Sequence, residues 1–169
     1  MTKNIQVGIV MGSDSDLPVM KKAADVLREF GVPHMITVAS AHRTPEKVAA
    51  LAARAEAEGW KAIITGAGMA AHLAGFIAAH TVVPVIGVPM DSSSLKGIDA
   101  LLSTVQMPGG IPVASMGLGS AGAKNAGLFV VEILACFDPG LREKLKAFRA
   151  ALKLEVERKA AAVEAEFEG

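Results

Sequence analysis

Ile5-Gln-Val-Gly-Ile-Val-Met11, then Gly12-Ser-Asp-Ser-Asp16, then Leu17-Pro-Val-Met-Lys-Lys-Ala-Ala-Asp-Val-Leu-Arg-Glu-Phe30, is the stretch that decides the fold. The first segment is a short apolar run without polar alternation, the pattern of a strand covered on both faces and hence of a parallel sheet. In the third, Met20, Ala23, Ala24, Leu27 and Phe30 share one helical stripe, Lys21, Lys22, Arg28 and Glu29 lie elsewhere, and Gly31 closes the helix. The same unit recurs downstream. Further strands are expected at 34–39, 62–65, 83–88 and 111–115, and further helices at 45–57, 70–79, 95–102 and 121–136. Such alternation implies right-handed crossovers and a three-layer α/β/α sandwich around a central parallel sheet.

Residues 141–167 place apolar side chains at 141, 145, 148, 152, 156, 160, 163 and 167, always three or four apart, which predicts one long helix. At about 1.5 Å per residue it would outrun a small domain, so part of it is expected to pack on another subunit. The organisation expected is a single α/β catalytic domain over 1–150 and a helical extension over 151–169.

Composition excludes several classes. Of 169 residues, 51% are hydrophobic and 20% charged, and 17 Lys plus Arg balance 17 Asp plus Glu, so a disordered chain is excluded. Zero net charge gives no global attraction to nucleic acid or an anionic membrane, so an anionic ligand must be caught locally. Cys136 is the only cysteine, which rules out an intramolecular disulfide and fits a reducing cytoplasm. The N-terminal stretch reads as a strand rather than a secretion signal, and Gly66, Gly68, His72 and Gly75 interrupt the most apolar region, leaving no expected membrane span.

In open α/β sheets ligands collect at the carboxyl ends of the strands. After the first strand, Gly12, Ser13, Asp14, Ser15 and Asp16 form a turn opening a helix, suited to capping and to anion binding. Asp14 and Asp16 lack a third ligand, so no metal is expected. After the second strand stands Ser40-Ala-His-Arg-Thr-Pro45. Thr44 and Pro45 fit a helix start, whereas Arg43 offers a planar fork for phosphate and His42 a group that titrates near neutrality. After the third comes Gly66-Ala-Gly-Met-Ala-Ala-His-Leu73, nearly without side-chain bulk until His72, where a ligand can approach the backbone closely. Gly117, Gly119 and Gly122 have Gly-x-Gly-x-x-Gly spacing but neither follow the first strand nor precede an acidic residue at the distance a dinucleotide site needs. The residues alone thus indicate a small phosphorylated ligand and proton-transfer chemistry.

Gly12-Ser-Asp-Ser-Asp16, Ser40-Ala-His-Arg-Thr-Pro45, Gly66-Ala-Gly-Met-Ala-Ala-His-Leu73, Gly87-Val-Pro89 and Val105-Gln-Met-Pro-Gly-Gly-Ile-Pro-Val113 resemble, in order and spacing, the N5-carboxyaminoimidazole ribonucleotide mutase family. The resemblance spans about residues 5 to 150. It implies a flavodoxin-like subunit, octamers with active sites where subunits meet, and a step of de novo purine biosynthesis. In that step a carboxyl group moves from nitrogen to carbon of a ribonucleotide without ATP, metal or organic cofactor. It further implies that His42 is the acid/base and that His72 belongs to the loop lining the base and carboxylate pocket. Arg43, Ser13 and Ser15 would contact phosphate and Asp16 the ribose hydroxyls, with Gly12, Ser40, Ala41, Gly68, Ala70 and Leu73 completing the substrate site. Related carboxylases that use free CO2 tend to carry Lys at the position of Arg43, which favours the mutase branch. Met69 and Ala74 depart from the family, standing where Gly and Pro are frequent. A receiver-like signalling module of the same outline would need an Asp at the end of strand three, where Thr65-Gly66-Ala67 stand.

Overall fold

The computed structural model describes residues 5–167; the first residues of the N-terminal stretch and the last two of the C-terminal extension lie outside it. Five strands, β1 (Val7–Met11), β2 (His34–Val38), β3 (Ala62–Ala67), β4 (Val85–Pro89) and β5 (Ala114–Ser115), form one parallel sheet in the order β2-β1-β3-β4-β5. Between and after them run α1 (Leu17–Phe30), α2 (Pro45–Ala57), α3 (Leu73–Ala78), α4 (Ile98–Val105), α5 (Gly119–Ala135) and α6 (Pro139–Phe167). This is the flavodoxin-like α/β sandwich expected, with its switch point between β1 and β3.

Every residue of β1 and β4 is buried, which explains their unbroken apolar runs. On one face Val10, Ile63 and Val85 pack with Val48, Leu51, Ala52 and Ala55 of α2 and with Leu73, Ala74 and Ile77 of α3. Trp60, 3% exposed, completes this layer. It lies flat against β1 because position 8 has no side chain: a Cβ on Gly8 would stand 2.3 Å from Trp60 Cζ3. On the other face Met20 of α1 and Met90 fill the space above Gly66, and Gly127 lets α5 approach Ala23 and Val26 of α1.

Three expected elements are corrected. The strand at 111–115 shrinks to Ala114–Ser115, because Pro112 has no N–H to give and the Ile111 amide is spent on the Pro108 carbonyl at 3.3 Å. The helix at 95–102 begins instead at Ile98, since Lys96 (φ 51°) and Gly97 (φ 86°) take left-handed backbone that no helix contains. The helix at 70–79 starts at Leu73, and the residues before it are loop.

The chain divides into two compact units after Val130. In the second, α6 is one continuous helix as expected. Leu145 is buried, but every residue from Arg149 to Phe167 is exposed, including Leu152, Val156, Val163 and Phe167 of the apolar stripe. Ion pairs Lys153–Glu157 and Lys159–Glu155 line the same stretch. Among the described residues no helix is long and apolar enough to cross a membrane.

Candidate active site

Three loops rise from the carboxyl ends of β1, β2 and β3 and enclose a cavity of about 530 Å³. All twelve residues singled out from sequence line it: Gly12, Ser13, Ser15 and Asp16 from the first loop; Ser40, Ala41, His42 and Arg43 from the second; Gly68, Ala70, His72 and Leu73 from the third. The cavity also takes in Ala67 and Ser92, and Met69, which the sequence reading noted as a departure from the family but did not assign to the substrate site. Ser92 follows β4, so the strand-end rule that found the others points to it as well.

The first loop is a 3-10 turn, Asp14–Asp16, capped by Ser13. The Ser13 hydroxyl accepts from the Ser15 amide at 3.3 Å and from the Ser15 hydroxyl at 2.8 Å, and donates to Asp14 Oδ1 at 3.2 Å. Ser13 thus caps the 3-10 turn, Asp16 stands at the N-cap of α1 without a side-chain cap bond, and the Ser13 and Ser15 hydroxyls remain at the cavity. Asp16 is buried, and that desolvation raises its carboxyl above the ordinary carboxylate range. Hydrogen bonds from the Ser13 backbone and the Ser15 side chain oppose the rise, and the nearby Asp14 charge adds to it. A raised acid favours the folded state fully in acid, and that contribution is lost as pH rises through the folded-state value. Once ionised, the Asp16 carboxylate therefore weighs against folding, a burden borne at the cavity wall.

The second loop is held by Thr44 in an unexpected way. Thr44 stands at the N-cap of α2, but its side chain makes no cap bond. Its hydroxyl instead accepts from the Ser40 amide at 3.0 Å and donates to the Ser40 carbonyl at 3.2 Å, while its own amide donates to that carbonyl at 2.8 Å. This staple fixes the three residues it encloses, Ala41, His42 and Arg43. The Arg43 guanidinium crosses to β1, with Nη2 donating to the Gly12 carbonyl at 3.0 Å and Nε to Ser40 Oγ at 3.4 Å. One end of its fork is thus anchored at the turn that carries Ser13 and Ser15.

The third loop brings His72 over the end of β1 to meet His42. His42 Nε2 and His72 Nδ1 are 2.8 Å apart, and the rings are edge to face at 82°. One nitrogen must donate and the other accept, so while the contact lasts one ring is neutral and a single proton lies between them. Just before it, Met69 has φ 56°, a left-handed backbone that costs a side-chain-bearing residue about 1–2 kcal/mol. Gly is the residue that adopts it freely, which accounts for Met69 being the departure noted from sequence.

The glycine-rich run at 117–122 lies elsewhere. A Cβ on Gly122 would fall 1.6 Å from the Gly117 carbonyl oxygen, so that glycine serves the tight turn into α5. Among the described residues no three His, Cys, Asp or Glu side chains gather as metal ligands.

A flavodoxin-like sheet whose strand-end loops converge on a histidine pair and an anchored arginine defines an α/β enzyme with its site at the switch point. Residues 6–155 match the profile of the AIR carboxylase family, and the chain belongs to that family. It is 56% identical over 158 residues to the N5-carboxyaminoimidazole ribonucleotide mutase of Pyrococcus horikoshii, covering 94% of this chain and 88% of that protein. The Thermotoga maritima protein of the same name is 51% identical over 94% of this chain and 92% of its own length. That of Escherichia coli K12 is 51% identical over 89% of each. Among solved structures, Treponema denticola PurE superposes with TM-score 0.83 at 31% identity, covering 92% of this chain and 96% of that one.

Proposed function

We propose that this chain converts N5-carboxyaminoimidazole ribonucleotide to 4-carboxy-5-aminoimidazole ribonucleotide, as the named relatives do, in the cytoplasm and with no cofactor. The observation that carries the reading is the 2.8 Å contact between His42 Nε2 and His72 Nδ1 at the cavity that Arg43, Ser13 and Ser15 also line. Phosphate binds where the Arg43 fork meets the two serine hydroxyls, and Asp16 accepts from the ribose hydroxyls. That leaves the aminoimidazole toward His42, His72 and the small-residue wall of Gly68 and Ala70.

The chemistry then needs one proton, lent and recovered. His42 protonates the carbamate nitrogen, the N–C bond breaks, and CO2 leaves while the amine keeps the proton. The electron-rich ring carbon attacks that CO2, forming the new C–C bond, and its displaced proton returns to the histidine pair. A pair with one neutral ring serves both steps. CO2 must be held between them, which gives the close, largely small-residue wall a mechanistic use.

The family's description as AIR carboxylase supplies a second reading, in which free CO2 is the substrate. Following the labelled carboxyl group with excess unlabelled bicarbonate, and without ATP or metal, separates them. Retained label is the expected result. Washed-out label, with product only at high bicarbonate, would move the chain to the carboxylase branch.

We also read the bare stripe of α6 as the docking element for another copy of this chain in a homo-oligomer, an octamer by family resemblance. Its support is the apolar series at 152, 156, 160, 163 and 167, all of it exposed in the single chain. A chain ending at Arg149 is expected to sediment as a smaller species and to melt earlier. Unchanged sedimentation and melting would make the helix a peripheral tail.

A further inference from the structure

Three of the four serines that line the cavity are tied into its loops. The Ser15 hydroxyl donates to that of Ser13, and Ser40 Oγ accepts from the Arg43 amide at 3.3 Å and from Arg43 Nε at 3.4 Å. The fourth is Ser92, and among the described residues its hydroxyl has no hydrogen-bond partner. A solvated serine on a loose loop would need no account, but Ser92 is held from both sides. Before it, Met90 is buried, and its amide donates to the Ala67 carbonyl at 2.9 Å, extending the pairing of β3 and β4 past Pro89. After it, Ser93 Oγ donates to Asp99 Oδ1 at 2.7 Å and accepts from the Gly97 amide at 3.3 Å, which ties the loop to the first turn of α4. The Ser92 hydroxyl faces the third loop, since a Cβ built on Gly68 would lie 3.2 Å from it.

A fixed hydroxyl at the end of β4 stands at the far side of the cavity from the loops of β1 and β2. With phosphate and ribose taken by those two loops, the part of the ligand left for the β3 and β4 side is the aminoimidazole with its carboxylate. A carboxylate only accepts hydrogen bonds, and an ionised one set against a wall without donors is strongly disfavoured, whereas the uncharged ring asks far less. Ala67, Gly68 and Ala70 bring no side-chain donor to that wall, and the facing nitrogens of His42 and His72 are turned to each other. Ser92 is the hydroxyl that side supplies, already aimed and with nothing to give up before it donates.

We propose that Ser92 is a substrate-positioning residue whose hydroxyl donates to the carboxylate of the carboxylated ribonucleotide and so fixes that group on the β3 and β4 side of the cavity. The inference rests on the reading above that the ligand carries a carboxylate. It holds for the mutase and the carboxylase branch alike, since both end in the same carbon-linked acid. What separates it from a role in loop shape is selectivity. The contact exists only when the carboxylate is there, so removing the hydroxyl leaves a ligand without that group as well bound as before.

The test is calorimetric titration of the native chain and of Ser92→Ala with two ligands, 4-carboxy-5-aminoimidazole ribonucleotide and aminoimidazole ribonucleotide. Ser92→Ala is expected to weaken the first about 10- to 100-fold, the worth of a hydrogen bond to a charged group, and to change the second by less than about twofold. Ser92→Cys keeps the shape but offers a weaker donor, and should fall between the two. Both variants should melt within about 1 °C of the native chain, because no packed contact is removed. Native affinity of Ser92→Ala for the carboxylated ligand, or equal losses for both ligands, would overturn the assignment while leaving the reading of the ligand standing. A native chain that binds neither ribonucleotide would overturn that reading, and the role of Ser92 with it.

Discussion

His42→Asn is expected to bind the ribonucleotide nearly as the native protein does and to turn it over roughly 10²- to 10⁴-fold more slowly, the usual worth of general acid–base help. The two halves of that result have separate origins in the site. In the proposed mode of binding the ribonucleotide is held by Arg43, Ser13, Ser15 and Asp16, none of which depends on the imidazole, and the loop carrying position 42 is stapled by Thr44 to Ser40 rather than by His42 itself. Turnover needs a group that both gives and retakes a proton. An asparagine amide can donate to His72 Nδ1 in place of the ring nitrogen, which preserves the geometry, but it carries no exchangeable charge. Calorimetry with the ribonucleotide and a turnover assay on the same preparation decide the matter. Near-native turnover would remove His42 from the chemistry, and lost affinity with retained turnover would make it a binding residue.

Trp60→Ala should lower stability by about 3–5 kcal/mol, the range for deleting a large buried aromatic side chain. For a chain of this size that is a fall in melting temperature on the order of 6–20 °C. Trp60 lies between α2 and β1, its indole N–H donates to Glu58 Oε2 at 3.0 Å, and the Arg54 guanidinium stands 5.5 Å above its ring. The Arg54 and Trp60 bonds also hold the Glu58 carboxyl below its ordinary range. Gly8→Ala should destabilise the native chain too, because the new methyl and Cζ3 cannot share the space 2.3 Å apart. In the Trp60→Ala background the same change should be nearly neutral or favourable, since it partly fills the cavity. A double-mutant cycle measures this coupling, and additive effects would refute the packing account.

These residues also show what sequence makes legible. The bounds of α1 and α2 follow from local chemistry, a stripe closed by Gly31 in one case and a helix begun at Pro45 in the other, and the structure keeps both. β5 and α4 depended on where individual N–H groups are spent and which residues turn left-handed, and periodicity does not report that. The same split runs through the site. Which residues gather was readable, because a parallel sheet sends all its βα loops to one end. That His42 and His72 touch was not: they are thirty positions apart and belong to strands separated by β1, meeting only because both loops lean over its end. Thr44 was read as a helix cap from its place before Pro45, and its actual partner, Ser40, depends on the closed shape of a loop that spacing alone leaves open.

The strand order β2-β1-β3-β4-β5 has a consequence for how the chain comes into being. Of the five strands β1 is synthesised first, and it ends up inside the sheet. β2 then adds to one of its sides and β3 to the other, β4 adds to β3, and β5 to β4. Every strand finds its neighbour already synthesised, and none waits on a later one. Domains generally fold from the N-terminus as they are made. The three loops of the cavity have all emerged by the end of α3, while the long helix is still to be translated, so the chemical half of the molecule can take shape before the exposed helix exists to meet anything.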